Sequence, residues 1–276
     1  MTDQATLPLA FDSHCHIHEA VRKITPVYDK WHEHGQQDVE GIVWRAHDAG
    51  VGQMLCIGTS YPDSELAVNF VQDRPNMYTS IGIHPHEAQT AIDNEHLDAF
   101  AALVTRPKVV AVGECGLDYF YSHSPKEAQI AVLKFQIELA LAHDLPMSFH
   151  VREAFDDFWP IFESYQGIRG VLHSYTDSME NLERAIKHGL HIGVNGIATF
   201  AKDEERRVIY RTIPQRLLLL ETDAPLFTPV PFRGTICEPR HVIVTAEFIS
   251  KLRGEPLAQI IAATTKNAQA LFHTNT

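Results

Sequence analysis

Six side chains in this sequence have the types and spacing to hold a pair of cations: His14, His16, Glu114, His150, His173 and Asp223. His14 and His16 stand two apart in LAFDSHCH, so on a strand they project to one side and can grip a single ion. An isolated H-x-H also describes paired surface histidines; the apolar run before it and the later carboxylates separate the two readings. Glu114, in AVGECGLDY, follows a run too apolar to leave a carboxylate unpaired, because burying a lone charge is costly. Its two oxygens can bridge two cations, as in two-metal hydrolases whose ions sit about 3.5–4 Å apart. A salt bridge to Arg152 or a helix-capping role would also satisfy it.

His150 closes PMSFH and His173 closes GVLH. Single core histidines are commonly hydrogen-bonded fillers, but two at matched positions on successive strands suit a second ion. Asp223, in LLLLETDAP, can ligate the first ion while accepting a proton from the attacking water, which makes Asp223 and Glu114 the candidate catalytic groups. Glu221 either orients a ligand histidine from behind or forms a buried ion pair. His84, in GIHPH, and Arg152, in HVREA, suit substrate oxygens, since the arginine fork matches phosphate; a plain salt bridge is the alternative for Arg152.

Each of these residues lies at or just past the end of a short aliphatic run. The runs are LAFDSHCH, QMLCIGT, MYTSIGIH, VVAVGEC, PMSFHV, GVLHSY, LHIGVNG and LLLLETD, and segments of helical period near 39–50, 63–73, 95–105, 126–143, 153–165, 178–188 and 203–212 lie between them. That alternation predicts an α/β fold of the TIM type, a (β/α)8 barrel, in which the C-terminal strand ends converge on one active-site face. Within 126–143, Ile130, Leu133, Ile137 and Leu141 recur at helical spacing and are expected against the barrel wall. Two further helices near 240–253 and 256–272 should close the barrel, and the long 18–38 connection should overhang the first strand's end. No repeat or linker divides the chain, so residues 1–276 are read as one domain.

Composition narrows the function. A formal charge of −12 excludes broad coating of nucleic acid, which depends on many Lys and Arg contacts to phosphate. Contact must be local, and bound divalent cations would supply positive charge there. Histidine is abundant, at 17, where a chain of this length carries about 6 on average. Those outside the site, among them His18, His86 and His241, are expected to be solvated or on helix surfaces. No apolar run approaches the roughly 18 residues of a membrane span, and MTDQATLPLA lacks a signal-peptide pattern, so a cytoplasmic location is expected. Cys15, Cys56, Cys115 and Cys237 show no CxxC pairing and read as free thiols, with Cys15 turned away from the ion that His14 and His16 face.

The motifs FDSHCHIH, SIGIHPH, VGECGLDYF, LPMSFHVREA, GVLHSY, IGVNG, LLLETDAP, the CEP turn at 237–239 and TTKNAQALF occur in that order, with Gln129, Phe135 and Gln136 on the helix before the fifth strand. By these the chain resembles, over essentially its whole length, the TatD family of metal-dependent deoxyribonucleases within the amidohydrolase-like barrel superfamily. The resemblance implies His14 and His16 on one metal, Glu114 bridging, His150 and His173 on the other, and Asp223 at the reaction centre. It implies two divalent ions (Mg, Mn or Zn) as cofactors and DNA as substrate, cleaved by a two-metal-activated water. No membrane association or stable protein partner is implied. Three features depart from the family pattern: His18 stands where Asp is usual, residues 174–178 read SYTDS where CFSGS is frequent, and the loop after the first strand is enlarged. All ligands remain, while the loops that shape substrate scope differ.

Two other functions fit the same residues. An amidohydrolase-like esterase, lactonase or amidase would keep the metals and act on a small molecule, although some such enzymes bridge their ions with a modified lysine where this chain has Glu114. A non-catalytic metal-binding scaffold would bind cations without turnover on any substrate.

Overall fold

The computed structural model describes residues 7–35 and 37–274. Eight strands, β1 (Ala10–Cys15), β2 (Val51–Ile57), β3 (Met77–Ile81), β4 (Val109–Asp118), β5 (Met147–Arg152), β6 (Gly170–Leu172), β7 (His191–Val194) and β8 (Leu218–Leu220), form one parallel sheet in sequence order. The sheet curls until β8 meets β1, where Asp223 N donates to His14 O at 2.8 Å and His16 N donates to Ala224 O at 2.8 Å. Parallel neighbours need crossovers, and helices supply them. They are α1 (Val27–Trp31), α2 (Val39–Asp48), α3 (Tyr61–Val71), α4 (Ala88–Asp93), α5 (Leu97–Ala101), α6 (Lys126–Ala142), α7 (Phe155–Glu163), α8 (Met179–Lys187) and α9 (Glu204–Thr212), followed by α10 (Val242–Arg253) and α11 (Leu257–Phe272). The molecule is the expected (β/α)8 barrel with additional C-terminal helices.

Local chemistry starts and stops these elements. The Ser60 hydroxyl caps α3 by accepting from Asp63 N, and Pro62 occupies its first turn; the Ser178 hydroxyl does the same for α8 by accepting from Asn181 N. Gly254, left-handed at φ 67°, ends α10.

Strand alternation divides the core in two. Met54, Cys56, Leu172, Leu218 and Leu220 pack outward with the helices, whereas Phe11, Leu55, Ile57, Ala111, Val171 and Leu219 cluster with Ala268, Leu271 and Phe272 of α11. The second cluster fills the barrel's interior, each large side chain contributing about 1.5–3 kcal/mol of burial. Polar groups are left for the opposite, C-terminal rim.

One expectation needs correction, and two gain detail. The helix expected near 95–105 is the short α5 followed by a 3-10 turn at Ala102–Thr105, and α4 is a separate helix before it; Glu95, at φ 53°, lies between the two. The 18–38 connection contains a 3-10 turn at Ile17–Ala20 and α1, and is anchored by fully buried Trp31, whose Nε1 donates to His16 O at 3.0 Å. Its apolar anchor, more than its length, sets its course. On α6, Leu133 and Ile137 are buried and Ile130 and Leu141 pack half-buried against the core as expected, and the inner stripe also includes Gln129 and Gln136. Gln136 grips the backbone of Ile83, accepting from N at 2.8 Å and donating to O at 3.0 Å. Gln129 grips Asp118 likewise, at 2.8 and 3.1 Å. Buried amides must be hydrogen-bonded, so these two glutamines turn inward and fix the loops leaving β3 and β4.

Candidate metal centre

At the C-terminal rim, the six candidate ligands converge on Glu114. Its Oε2 lies 3.5 Å from His14 Nε2 and 3.9 Å from His16 Nε2. Its Oε1 lies 2.9 Å from His150 Nδ1, 3.1 Å from His173 Nε2 and 3.5 Å from His84 Nε2. Each oxygen therefore faces a different set of histidines. Asp223 Oδ1 joins the first set, 3.1 Å from His16 Nε2 and 3.6 Å from His14 Nε2. Asp223 sits in the left-handed region at φ 58°, which an aspartate tolerates, so the chain turns sharply after β8 and presents the carboxylate to β1.

The supporting contacts orient the rings. His16 Nδ1 faces the Ile57 carbonyl at 3.0 Å, which puts the proton of a neutral ring there and leaves Nε2 as a lone pair. His14 and His173 stack with ring centroids 3.8 Å apart, and Glu221 Oε1 lies 3.3 Å from His173 Nδ1. Gly193 makes room for Glu221, because a Cβ there would lie 2.3 Å from its carboxylate. Similarly, a Cβ on Gly116, at φ 147°, would strike the His150 carbonyl.

A cation suits this arrangement. His14 Nε2 and His16 Nε2 approach within 3.3 Å, beside carboxylate oxygens of Glu114 and Asp223, so lone pairs converge on one point with a shortage of protons between them. Three overlapping groups have ligand atoms within 4.8 Å of one another: His14, His16 and Glu114; His14, His173 and Glu221; His84, Glu114 and His150. Imidazole and carboxylate together are acceptable to Zn²⁺, Mn²⁺ and Mg²⁺ alike.

The charges report the same mutual dependence. Burial alone would raise the Glu114 pKa, but His173, His84, His14 and His150 hold it well below the usual carboxylate range. Burial works to lower the pKa of His16, yet the hydrogen bond and charge of Asp223, with Glu114 beyond, lift it to about 9. His84 goes the other way, pushed down to about 4 by burial, against the pull of Glu114.

Several contacts were not legible at the residue level. Asp118, four residues beyond Glu114 on β4, places Oδ2 3.0 Å from His150 Nε2 and 3.0 Å from His86 Nε2. Its signal was the period-2 spacing along the strand, which puts residues 114, 116 and 118 on one face. Asp12, fully buried, accepts from Thr222 N at 2.8 Å and Thr222 Oγ1 at 2.6 Å, bracing β1 against the turn that carries Asp223. The outer histidines also need correction: His18 and His241 are buried, and His86 is hydrogen-bonded to Asp118. His18 pairs with Asp63, and His241 Nδ1 accepts from Glu238 N. Burial requires such partners, and they come from distant or looping segments. Arg152 forms no ion pair among the described residues; its guanidinium lies over the rings of Phe120, at 4.0 Å, and Tyr121, at 4.8 Å. All four cysteines are buried and free, and Cys15 Sγ faces the Leu55 carbonyl.

A parallel barrel whose C-terminal rim gathers imidazoles around one carboxylate defines a metal-dependent hydrolase. The chain belongs to the TatD related DNase family, whose model matches residues 11–273. It is 32% identical over 269 residues to the "Uncharacterized metal-dependent hydrolase YabD" of Bacillus subtilis, covering 97% of this chain and 100% of that protein. It is 33% identical over 247 residues to the "3'-5' ssDNA/RNA exonuclease TatD" of Salmonella typhimurium, covering 86% and 93%. The crystal structure of the TatD homolog YJJV from Escherichia coli superposes with a TM-score of 0.81 at 27% identity, over 96% of this chain and 98% of that one. No helix among the described residues is long and apolar enough to cross a membrane.

Proposed function

We propose that this protein hydrolyses phosphodiester bonds of DNA, with a divalent cation on each side of Glu114. The observation that carries the reading is the division of labour at that carboxylate: Oε2 toward His14 and His16, Oε1 toward His150 and His173. In this reading His14, His16, Glu114 and Asp223 hold one ion, and Glu114, His150 and His173 hold the other. Bound there, the ions would polarise the phosphoryl oxygens and make a water acidic enough to be deprotonated near neutral pH. Asp223 takes the water's proton, Glu221 keeps the His173 ring in place, and His84 and Arg152 bind non-bridging phosphate oxygens. A relative named for exonuclease action on ssDNA and RNA supports nucleic acid over a small ester or amide.

The direct test incubates purified protein with single- and double-stranded DNA in Mg²⁺ or Mn²⁺, beside a panel of esters, lactones and amides. Metal-dependent DNA cleavage is expected. Strong turnover of the panel with none of DNA would transfer the assignment to the small-molecule class, and metal uptake without turnover of anything would leave a scaffold.

Strand preference follows from the rim. Phe120 and Tyr121, two and three residues after Asp118, are 50% and 53% exposed, with Arg152 stacked against them. Exposed rings beside a guanidinium make a surface on which unpaired bases stack, at about 1–3 kcal/mol per base. The Phe120→Ala, Tyr121→Ala double variant should therefore raise KM for a short single-stranded oligonucleotide about 5-fold or more, with kcat nearly unchanged. Steady-state kinetics on matched single- and double-stranded substrates checks this; equal KM values for wild type and variant remove the stacking role.

Cation affinity should depend on pH through His16. With its pKa lifted to about 9 in the metal-free protein, His16 is protonated at neutral pH, and an incoming ion must displace that proton. Apparent affinity for the ion at His14 and His16 should rise about tenfold per pH unit from near neutral until pH passes the His16 pKa, then level off. Competition titrations against a chromophoric chelator measure the slope, and a flat profile would exclude proton displacement at this ring.

A further inference from the structure

Behind the centre, on the outer side of His16, lies a second polar cluster built from two parts of the chain. His18 and Glu19 come from the 3-10 turn after β1, and Asp63 from the first turn of α3. All three residues are completely buried, with ligand atoms within 4.8 Å of one another. His18 Nε2 lies 3.0 Å from Asp63 Oδ1, and Asp63 Oδ2 accepts from Thr59 N and Thr59 Oγ1, both at 2.9 Å. The Thr25 hydroxyl donates to Glu19 Oε2. Two atoms then remain: Glu19 Oε1 and His18 Nδ1 are buried with no hydrogen-bond partner. The nearby His16 Nδ1, 4.0 Å from Glu19 Oε1, is already directed at the Ile57 carbonyl.

Once cations at Glu114 displace the His16 proton, two buried carboxylates face one chargeable imidazole, so the cluster is short of positive charge even when that ring is protonated. Stranded acceptors at full burial are costly, and a cation is the partner that satisfies several at once. We propose that His18, Glu19 and Asp63 bind a third divalent cation, Zn²⁺ or Mn²⁺, separate from the ions at Glu114. Its ligands are one imidazole and two carboxylates, a set acceptable to either metal. The ion joins the turn after β1 to the start of α3, and so ties the enlarged 18–38 segment to the barrel where His16 emerges. Its role is to position His16, whose Nδ1 lies 4.0 Å from Glu19 Oε1.

Crystals of the wild-type protein soaked in millimolar zinc chloride, with anomalous data across the zinc edge, are expected to show a peak among His18, Glu19 and Asp63. Glu114→Gln should keep that peak. Asp63→Asn should lose it, together with one zinc per chain by mass spectrometry after gel filtration, and keep the peaks at Glu114. Glu19→Gln, which preserves side-chain shape, serves as the second variant should Asp63→Asn fold poorly. An empty His18 site under these conditions, whatever the occupancy at Glu114, overturns the proposal and assigns the orphan oxygen to a bound proton. Peaks at Glu114 are scored separately, so loss of the nuclease reading and loss of this site are distinguishable.

Discussion

Glu114→Gln is expected to lower turnover by at least about 10³-fold, more than deleting a single preorganised electrostatic group costs an enzyme. The amide has the shape of the carboxylate but neither its charge nor two equivalent acceptors. One of the two histidine sets around residue 114 must then face an NH₂ group in place of an oxygen. His150 and His173 lose their shared acceptor, or His14 and His16 lose theirs. Metal content should fall along with activity, because in the proposed reading Glu114 serves both ions. The check is turnover on DNA combined with metal per chain, and circular dichroism to establish that the variant folds. A variant that keeps its full metal complement and more than about a tenth of wild-type kcat, the scale of a supporting contact, would remove Glu114 from the bridging position.

Asp223→Asn should act on kcat far more than on KM. A positioned general base contributes about 10²–10⁴-fold, and the asparagine amide can still present an oxygen toward His16 but has no useful basicity. In the proposed reading substrate affinity rests instead on the rim, on His84, Arg152 and the exposed aromatic pair, none of which shares a hydrogen bond with residue 223. The expected outcome is a kcat lower by about 10²-fold or more with KM changed only a few-fold, the pattern of a group used in the transition state. Its acid limb sharpens the test. Although burial pushes the other way, His16, His14 and His173 hold the Asp223 carboxyl below its ordinary value, so Asp223 stays ionised through the normal carboxylate range and loss of activity on acidification should track loss of the cations, not protonation of this base. A fall in kcat/KM with KM alone responsible would assign Asp223 to binding.

The contrast between these two variants shows why the barrel matters. Glu114 is a residue of β4 and Asp223 follows β8, and they meet only because the eight strands close so that β8 reaches β1. Asp12 supplies the brace, holding Thr222 through both its backbone and its hydroxyl. Asp12 lies two residues before the first histidine, but nothing along the chain names Thr222 as its partner.

What the sequence determined by itself is local and periodic. Alternating runs set eight strands, the helical segments between them set a parallel sheet, and the position of each His, Glu or Asp at a strand's end set the face on which it emerges. Even the two-residue spacing of His14 and His16 sufficed to point both one way, because strand geometry repeats within a single element. Only the tertiary structure decided who faces whom: which histidines look at which oxygen of Glu114, that Asp118 bonds His150 and His86, that α6 turns its glutamines inward, and that His18 finds Asp63. Those choices depend on register between strands, on barrel curvature and on the need of every buried polar atom for a partner. Such partners are separated by tens to hundreds of residues, and no periodicity along the chain records the pairing.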